Sequence, residues 1–127
     1  MIAVDTSALM AILAGEPQQD ACIAALQAAS EAVISAGTIA EALIVAAGRN
    51  ISDDMVNLIE TLPLRIVEVS PDGARRIGRI YAKWGKGFHP AGLNFGDCFA
   101  YDLAKQNDCA LLFTGNDFAK TDIQSAL

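Results

Sequence analysis

Histidine, spaced cysteine pairs and long apolar runs are what this sequence lacks. Its one histidine, His89, falls in a stretch holding three Gly and one Pro, and reads as a loop or rim residue rather than a general base. Cys22, Cys98 and Cys109 are scattered, odd in number and set in apolar contexts. No zinc spacing is present, and the pattern suits reduced core thiols in a cytosol. The longest weakly charged run, 32–48, is interrupted by Glu41 and is too short to span a bilayer. No basic stretch followed by a signal-type apolar segment opens the chain, so a cytoplasmic protein without export signal or membrane contact is expected. Repeats, low complexity and linkers are missing too. The 127 residues are therefore expected to form one domain, 1–127, with a core of its own.

Basic charge is also scarce. Nine Lys and Arg against fifteen Asp and Glu leave a net charge of −6, which on its face argues against a nucleic-acid partner. The distribution matters more than the sum. Residues 73–96 contain no acid, yet hold Arg75, Arg76, Arg79, Lys83 and Lys86, five of the nine bases. Arg75, Arg79 and Lys83 recur at four-residue spacing along one helix face, so an acidic protein can still offer phosphate a local basic surface. An ordinary solvated helix face accounts for the same stripe equally well.

What is present is organised around the first nine residues. Ile2, Ala3 and Val4 read as a buried strand, and Asp5 follows at once. Thr6 or Ser7 is expected to cap a helix that Gly15 stops. An acid at the carboxyl end of the first strand of an α/β sheet stands where such sheets place ligands, although Asp5 as a simple helix cap fits as well. Further on, Glu16-Pro17 restarts a helix, and 32–34 is a second strand. Thr38 with Glu41 has the spacing of a capping box for a helix over 39–47, apolar almost all round and expected to be buried. A helix over 53–62 and an alternating strand over 64–69 follow. Ser70-Pro71-Asp72 is a strong start for an amphipathic helix to Trp84. Asn94 caps a helix over 95–106, a fourth strand covers 110–113, and the tail 122–127 offers an edge strand. Strands alternating with helices imply a mostly parallel sheet covered on both faces, of four or five strands.

Four acids stand out by position: Asp5, Glu41, Asp97 and Asp117. Glu41 is the only charge in 32–48, and Asp97 the only formal charge between Gly87 and Tyr101. A lone carboxylate in apolar surroundings is costly unless something pairs with it, and no Lys or Arg stands near Glu41 in sequence. A hard divalent cation is a natural partner, since Mg²⁺ uses few carboxylates, several waters and phosphate oxygens. Capping box, helix-dipole partner and turn residue are the bland roles of Glu41, Asp97 and Asp117.

Asp-Thr-Ser-Ala-Leu at the start, Thr-Ile-Ala-Glu in the middle, Leu-Asn-Phe-Gly-Asp-Cys-Phe-Ala-Tyr-Asp-Leu-Ala, and Leu-Leu-Phe-Thr-Gly-Asn-Asp-Phe resemble, in order and separation, a PIN domain. More narrowly, they are similar to VapC-type toxins of type II toxin–antitoxin pairs. The resemblance runs from Met1 to about Asp122. It implies a three-layer α/β/α domain around a central parallel sheet, with Asp5, Glu41, Asp97 and Asp117 gathered around Mg²⁺ or Mn²⁺ as catalytic metal ligands. Many relatives carry an acid where Asn116 stands, so Asn116 takes an outer or phosphate-contacting role beside Asp117. Thr6, Ser7 and Thr114 are candidate polar lining, capping and turn roles fitting them equally well.

The implied activity is metal-dependent endoribonuclease action on RNA, with Arg75, Arg79, Lys83 and Lys86 meeting the RNA backbone. The resemblance implies an antitoxin encoded nearby; an acidic pocket suited to a cation would also accept an arginine from that partner, and the 53% apolar content with the commonness of two-fold assemblies leads to an expected homodimer. A catalytically silent binding module on the same fold and a housekeeping RNA-processing nuclease compete with that reading. A phosphoryl-accepting receiver domain would want an acid pair after the first strand and a lysine near the last, neither of which is present. A haloacid-dehalogenase phosphatase would want Asp where Ser7 stands.

Overall fold

The computed structural model describes residues 1–127. Its sheet is made of β1 (Ile2–Val4), β2 (Ala32–Ser35), β3 (Leu64–Val67) and β4 (Ala110–Leu112). Every neighbouring pair is parallel, in the order β3-β2-β1-β4. The tail adds only an isolated bridge, Ser125 to Leu111, in place of an edge strand. Six helices complete the fold: α1 (Thr6–Ala14), α2 (Gln19–Ala28), α3 (Ala36–Gly48), α4 (Ser52–Thr61), α5 (Pro71–Trp84) and α6 (Phe95–Gln106). None is long and apolar enough to cross a membrane.

The two central strands are apolar at consecutive positions because the sheet is covered on both faces, and successive side chains feed two cores. Val4, Ile34 and Leu112 meet Leu9, Cys22, Ala42 and Met55 from α1 to α4. Ala3, Val33 and Leu111 meet Ile77, Cys98, Tyr101 and Leu103 from α5 and α6. This is the α/β/α layering that the alternation of elements implies. All three cysteines are free.

The chain moves outward from β1 through β2 to β3, then returns to the far side of β1 for β4. The β1/β4 junction is therefore a topological switch point, the place where α/β sheets open a crevice at their carboxyl ends. Asp5 leaves β1 there, with its backbone N–H bonded to Leu112 O at 3.0 Å.

Three local expectations change. Asp5 itself caps α1, accepting from the Ser7 N–H, so Thr6 and Ser7 are not the cap. Helix α3 begins earlier than its apolar period suggests, under a Ser35 cap, so Thr38 lies inside it and forms no capping box with Glu41. Nor is α3 buried all round: Ile44 is 72% exposed and Leu43 is exposed as well. Gly15 ends α1 with φ of 64°, the left-handed position that favours glycine.

Candidate active site

Asp5 is only 3% exposed, although it stands at a strand end. Its Oδ2 accepts from Ser7 twice, from the backbone N–H at 3.1 Å and from Oγ at 2.6 Å. Ser7 Oγ in turn accepts the Thr114 N–H at 3.0 Å, which ties the loop after β4 to the start of α1. Asp5 Oδ1 is buried and has no hydrogen-bond partner. The capping bonds thus use one oxygen of the carboxylate and leave the other unpaired.

Asp97 also serves a helix start. It completes a capping box with Asn94 at the start of α6: Asp97 N–H donates to Asn94 Oδ1 at 2.8 Å, and Asn94 N–H donates to Asp97 Oδ2 at 2.9 Å. Burial pushes the Asp97 carboxyl up to about 7, against the pull of the Asn94 N–H; the charges of Asp5, Asp117 and Glu41 push the same way as burial. Asp5 is pushed up to about 6, again by burial first, with Ser7's bonds opposing and Glu41 and Asp117 adding. The four acids singled out in the sequence therefore share one electrostatic neighbourhood.

Glu41 reaches it from α3. Its Oε1 accepts from Thr6 Oγ1 at 2.5 Å, and the same hydroxyl lies 3.4 Å from Thr38 O. Asp117 comes from the loop after β4 and is exposed, as is Asn116. Thr38 Oγ1 is a second buried polar atom without a partner.

This donor set suits a hard cation: all oxygen, negatively charged, with a buried carboxylate oxygen left unpaired. No three His, Cys, Asp or Glu side chains are gathered closely enough to hold an ion by themselves. The four-acid ligand set expected from the sequence is therefore not assembled as a closed cluster, and an ion held here would take one or two carboxylates with water and phosphate.

The basic residues divide differently from their stripe in the sequence. Arg75 pairs with Asp72 on the exposed side of α5. Arg76 is committed to Asp102, its guanidinium donating to both carboxylate oxygens at 2.8 and 3.1 Å. Arg79 and Lys83 open onto a cleft of about 290 Å³ between α5 and α6, where Trp84, Tyr101 and Lys105 also line the wall. Lys105 pairs with Asp122 at 2.8 Å. Trp84 O accepts from Leu93 N at 3.0 Å, and Lys86 N donates to Leu93 O at 2.9 Å, just before the Asn94 cap. The basic end of α5 thus sits against the end of α6 that carries Asp97. His89 lies in the intervening loop, its Nδ1 accepting from Ala91 N at 2.9 Å.

Residues 2–124 match the PIN domain family. The chain belongs to that family. Ribonuclease VapC28 of Mycobacterium tuberculosis is 41% identical over 128 residues, covering 98% of this chain and 96% of its own. Among solved structures, Mycobacterium tuberculosis VapC20, a Sarcin-Ricin loop cleaving toxin, superposes with a TM-score of 0.79 at 14% identity, over 97% of this chain and 96% of its own. A toxin–antitoxin complex from Klebsiella pneumoniae matches with a TM-score of 0.71 at 19% identity, over 96% and 93%.

Two features of this PIN domain are not evident from its sequence. Gly96 abuts the Glu41 carboxylate: a Cβ built on it would overlap Oε2 and Cδ and stand 2.9 Å from Oε1. Lys105 joins Arg79 and Lys83 across the cleft. Nothing in the sequence singles out Gly96.

Proposed function

We propose that this PIN domain is a Mg²⁺- or Mn²⁺-dependent endoribonuclease acting as the toxin of a toxin–antitoxin pair. The observation that carries the proposal is the buried, unpartnered Asp5 Oδ1 among like charges from Asp97, Glu41 and Asp117. Such a site needs a cation and then tolerates a phosphate. The ribonuclease activity of its full-length relative supports the same reading.

Asp5 and Asp97 would hold the ion, with Glu41 orienting a water or completing the shell and Asp117 serving the outer side. When bound, the ion lowers the pKa of a water and polarises the phosphoryl oxygen. Ser7 and Thr114 fix Asp5, Thr6 fixes Glu41, and Asn116 stands ready at the rim for phosphate. Arg75, Arg79, Lys83 and Lys86 attract the RNA backbone that the acids alone would repel, and Lys105 widens that surface into a cleft.

An acidic pocket built for a cation also accepts an arginine, whose guanidinium can bond one carboxylate twice. That is the route by which an antitoxin encoded beside the toxin would block it; the toxin–antitoxin complex among the structural neighbours supports an antitoxin partner as such. Ile44 lies one turn on from Glu41, and Phe95 beside Gly96 is 71% exposed. These apolar side chains flanking the pocket fit a two-fold homodimer.

The test is induction in growing cells, with and without the neighbouring open reading frame, alongside Asp97→Asn. Growth arrest with new RNA ends, relieved by the neighbour and absent in the variant, supports the proposal. Harmless induction with no co-purifying neighbour overturns it in favour of a binding module or a housekeeping nuclease.

A further inference from the structure

We infer that Gly96 is a positioning residue: the missing side chain on α6 leaves a slot that holds the Glu41 carboxylate of α3 in the acidic pocket. The consequence for activity rests on the endoribonuclease reading, whereas the slot itself is a matter of packing. Glu41 Oε2 occupies the space a Gly96 Cβ would need. Its other oxygen, Oε1, is bound by Thr6 Oγ1 at 2.5 Å. The carboxylate is thus held between a hydroxyl on α1 and bare backbone on α6.

Backbone strain does not explain the glycine, since Gly96 is not among the positive-φ residues. Gly96 is the second residue of α6, and the atoms nearest its missing Cβ all belong to the Glu41 carboxylate, so the glycine leaves room for that group. A second glycine at the same helix pair gives the contrast. A Cβ on Gly37 would overlap the Phe99 ring, a rigid side chain packed against the core. Glu41 meets Gly96 with the free end of a flexible chain, so Gly96→Ala is accommodated by swinging the carboxylate out of place. The fold survives, and the site does not.

Two measurements test this. The first is thermal melting without added metal, comparing Gly96→Ala in the parent and in Glu41→Ala, with Gly78→Ala as control because nothing lies within 4 Å of its Cβ. Gly78→Ala should raise Tm in both backgrounds. Gly96→Ala should raise it more where Glu41 has been removed than in the parent, where the new methyl must first displace the carboxylate. The same shift in both backgrounds overturns the slot. The second is calorimetric titration with Mn²⁺, where Gly96→Ala should weaken binding by about 10- to 100-fold, the range for residues that orient metal ligands. Added to Glu41→Ala it should weaken binding no further, because Gly96 acts only through Glu41. Unchanged affinity in Gly96→Ala, or losses that add in full, overturns the positioning role. A parent that binds no Mn²⁺ overturns the endoribonuclease reading and the positioning role with it, while the melting comparison still decides the slot.

Discussion

The Thr114 N–H donates to Ser7 Oγ at 3.0 Å, joining two residues 107 positions apart in the chain. Because the same oxygen donates to Asp5 Oδ2 at 2.6 Å, the loop after the last strand fixes the rotamer of the acid after the first. Ser7→Ala removes that link and leaves Asp5 with the Ser7 backbone N–H alone. We expect cleavage to fall about 10- to 100-fold, the usual effect of losing a residue that orients a metal ligand. Stability should fall by about 2 kcal/mol, since two hydrogen bonds of about 1 kcal/mol each are lost. Full activity in Ser7→Ala would show that Asp5 is held by its backbone alone.

Asp97 gives a pH dependence of stability with an unusual sign. Its carboxyl titrates near 7 in the fold, against 3.8 for the ordinary group, so between those values the folded state holds a proton that the unfolded chain releases. The associated stability is fully present below about pH 4 and is lost as pH rises through 7. Asp97→Asn removes this dependence and should raise the metal-free Tm most at pH 7 and above. A tenfold difference in proton affinity between the folded and unfolded states is worth about 1.4 kcal/mol, so the gain has a ceiling of a few kcal/mol. Melting curves of both proteins from pH 4.5 to 8, in chelator, read the difference. A variant that melts below its parent at pH 7.5 would make Asp97 a structural cap and nothing more.

Changing Arg79, Lys83 and Lys105 together to Ala should weaken RNA binding and flatten its dependence on salt. For single strands the slope falls by about 0.7 for each phosphate no longer neutralised, so losing Arg79 and Lys83 should lower it by about 1.4, and Lys105, which Asp122 already engages, should add less than a full share. Arg75→Ala should do less, because Asp72 already engages that guanidinium. Binding to an uncleaved RNA, measured in an Asp97→Asn background from 50 to 300 mM salt, is the readout. An unchanged slope returns the cleft to an ordinary solvated surface.

The exposed apolar rim predicts the assembly. Ile44→Glu with Phe95→Glu should convert a dimer into a monomer without loss of fold, since both side chains are mostly in solvent. Sedimentation of the parent and the double variant decides it. A parent that sediments as a monomer removes the dimer from the proposal.

Much of this was legible in the sequence, for physical reasons that differ by element. The α5 start at Ser70-Pro71 and the α6 start at Asn94 were readable because capping acts over three residues and needs no tertiary context. The start of α3 was not. Thr38 and Glu41 have capping-box spacing, yet Ser35 takes the cap, and Glu41 turns to Thr6 on another helix. Glu41 and Asp97 were conspicuous because isolated charge in apolar sequence is costly, and the mutual electrostatic influence of the four acids is what the fold adds. Gly96 was not conspicuous, because its role depends on a side chain 55 positions away that folding brings against it. The basic stripe was half legible. Helical spacing showed which bases share a face of α5, but not that Asp72 and Asp102 claim Arg75 and Arg76, or that Lys105 arrives from α6.

The central claim is that the pocket around Asp5 and Asp97 works only with a divalent cation. Cleavage of total RNA by the purified protein, with Mg²⁺ or Mn²⁺ and then in excess EDTA, tests it most directly. Four acids sharing one site without a cation repel each other and phosphate alike, so cleavage should stop in EDTA, return on adding Mn²⁺, and remain absent in Asp97→Asn under both conditions. Cleavage at full rate in excess EDTA by the parent, lost in Asp97→Asn, would contradict it.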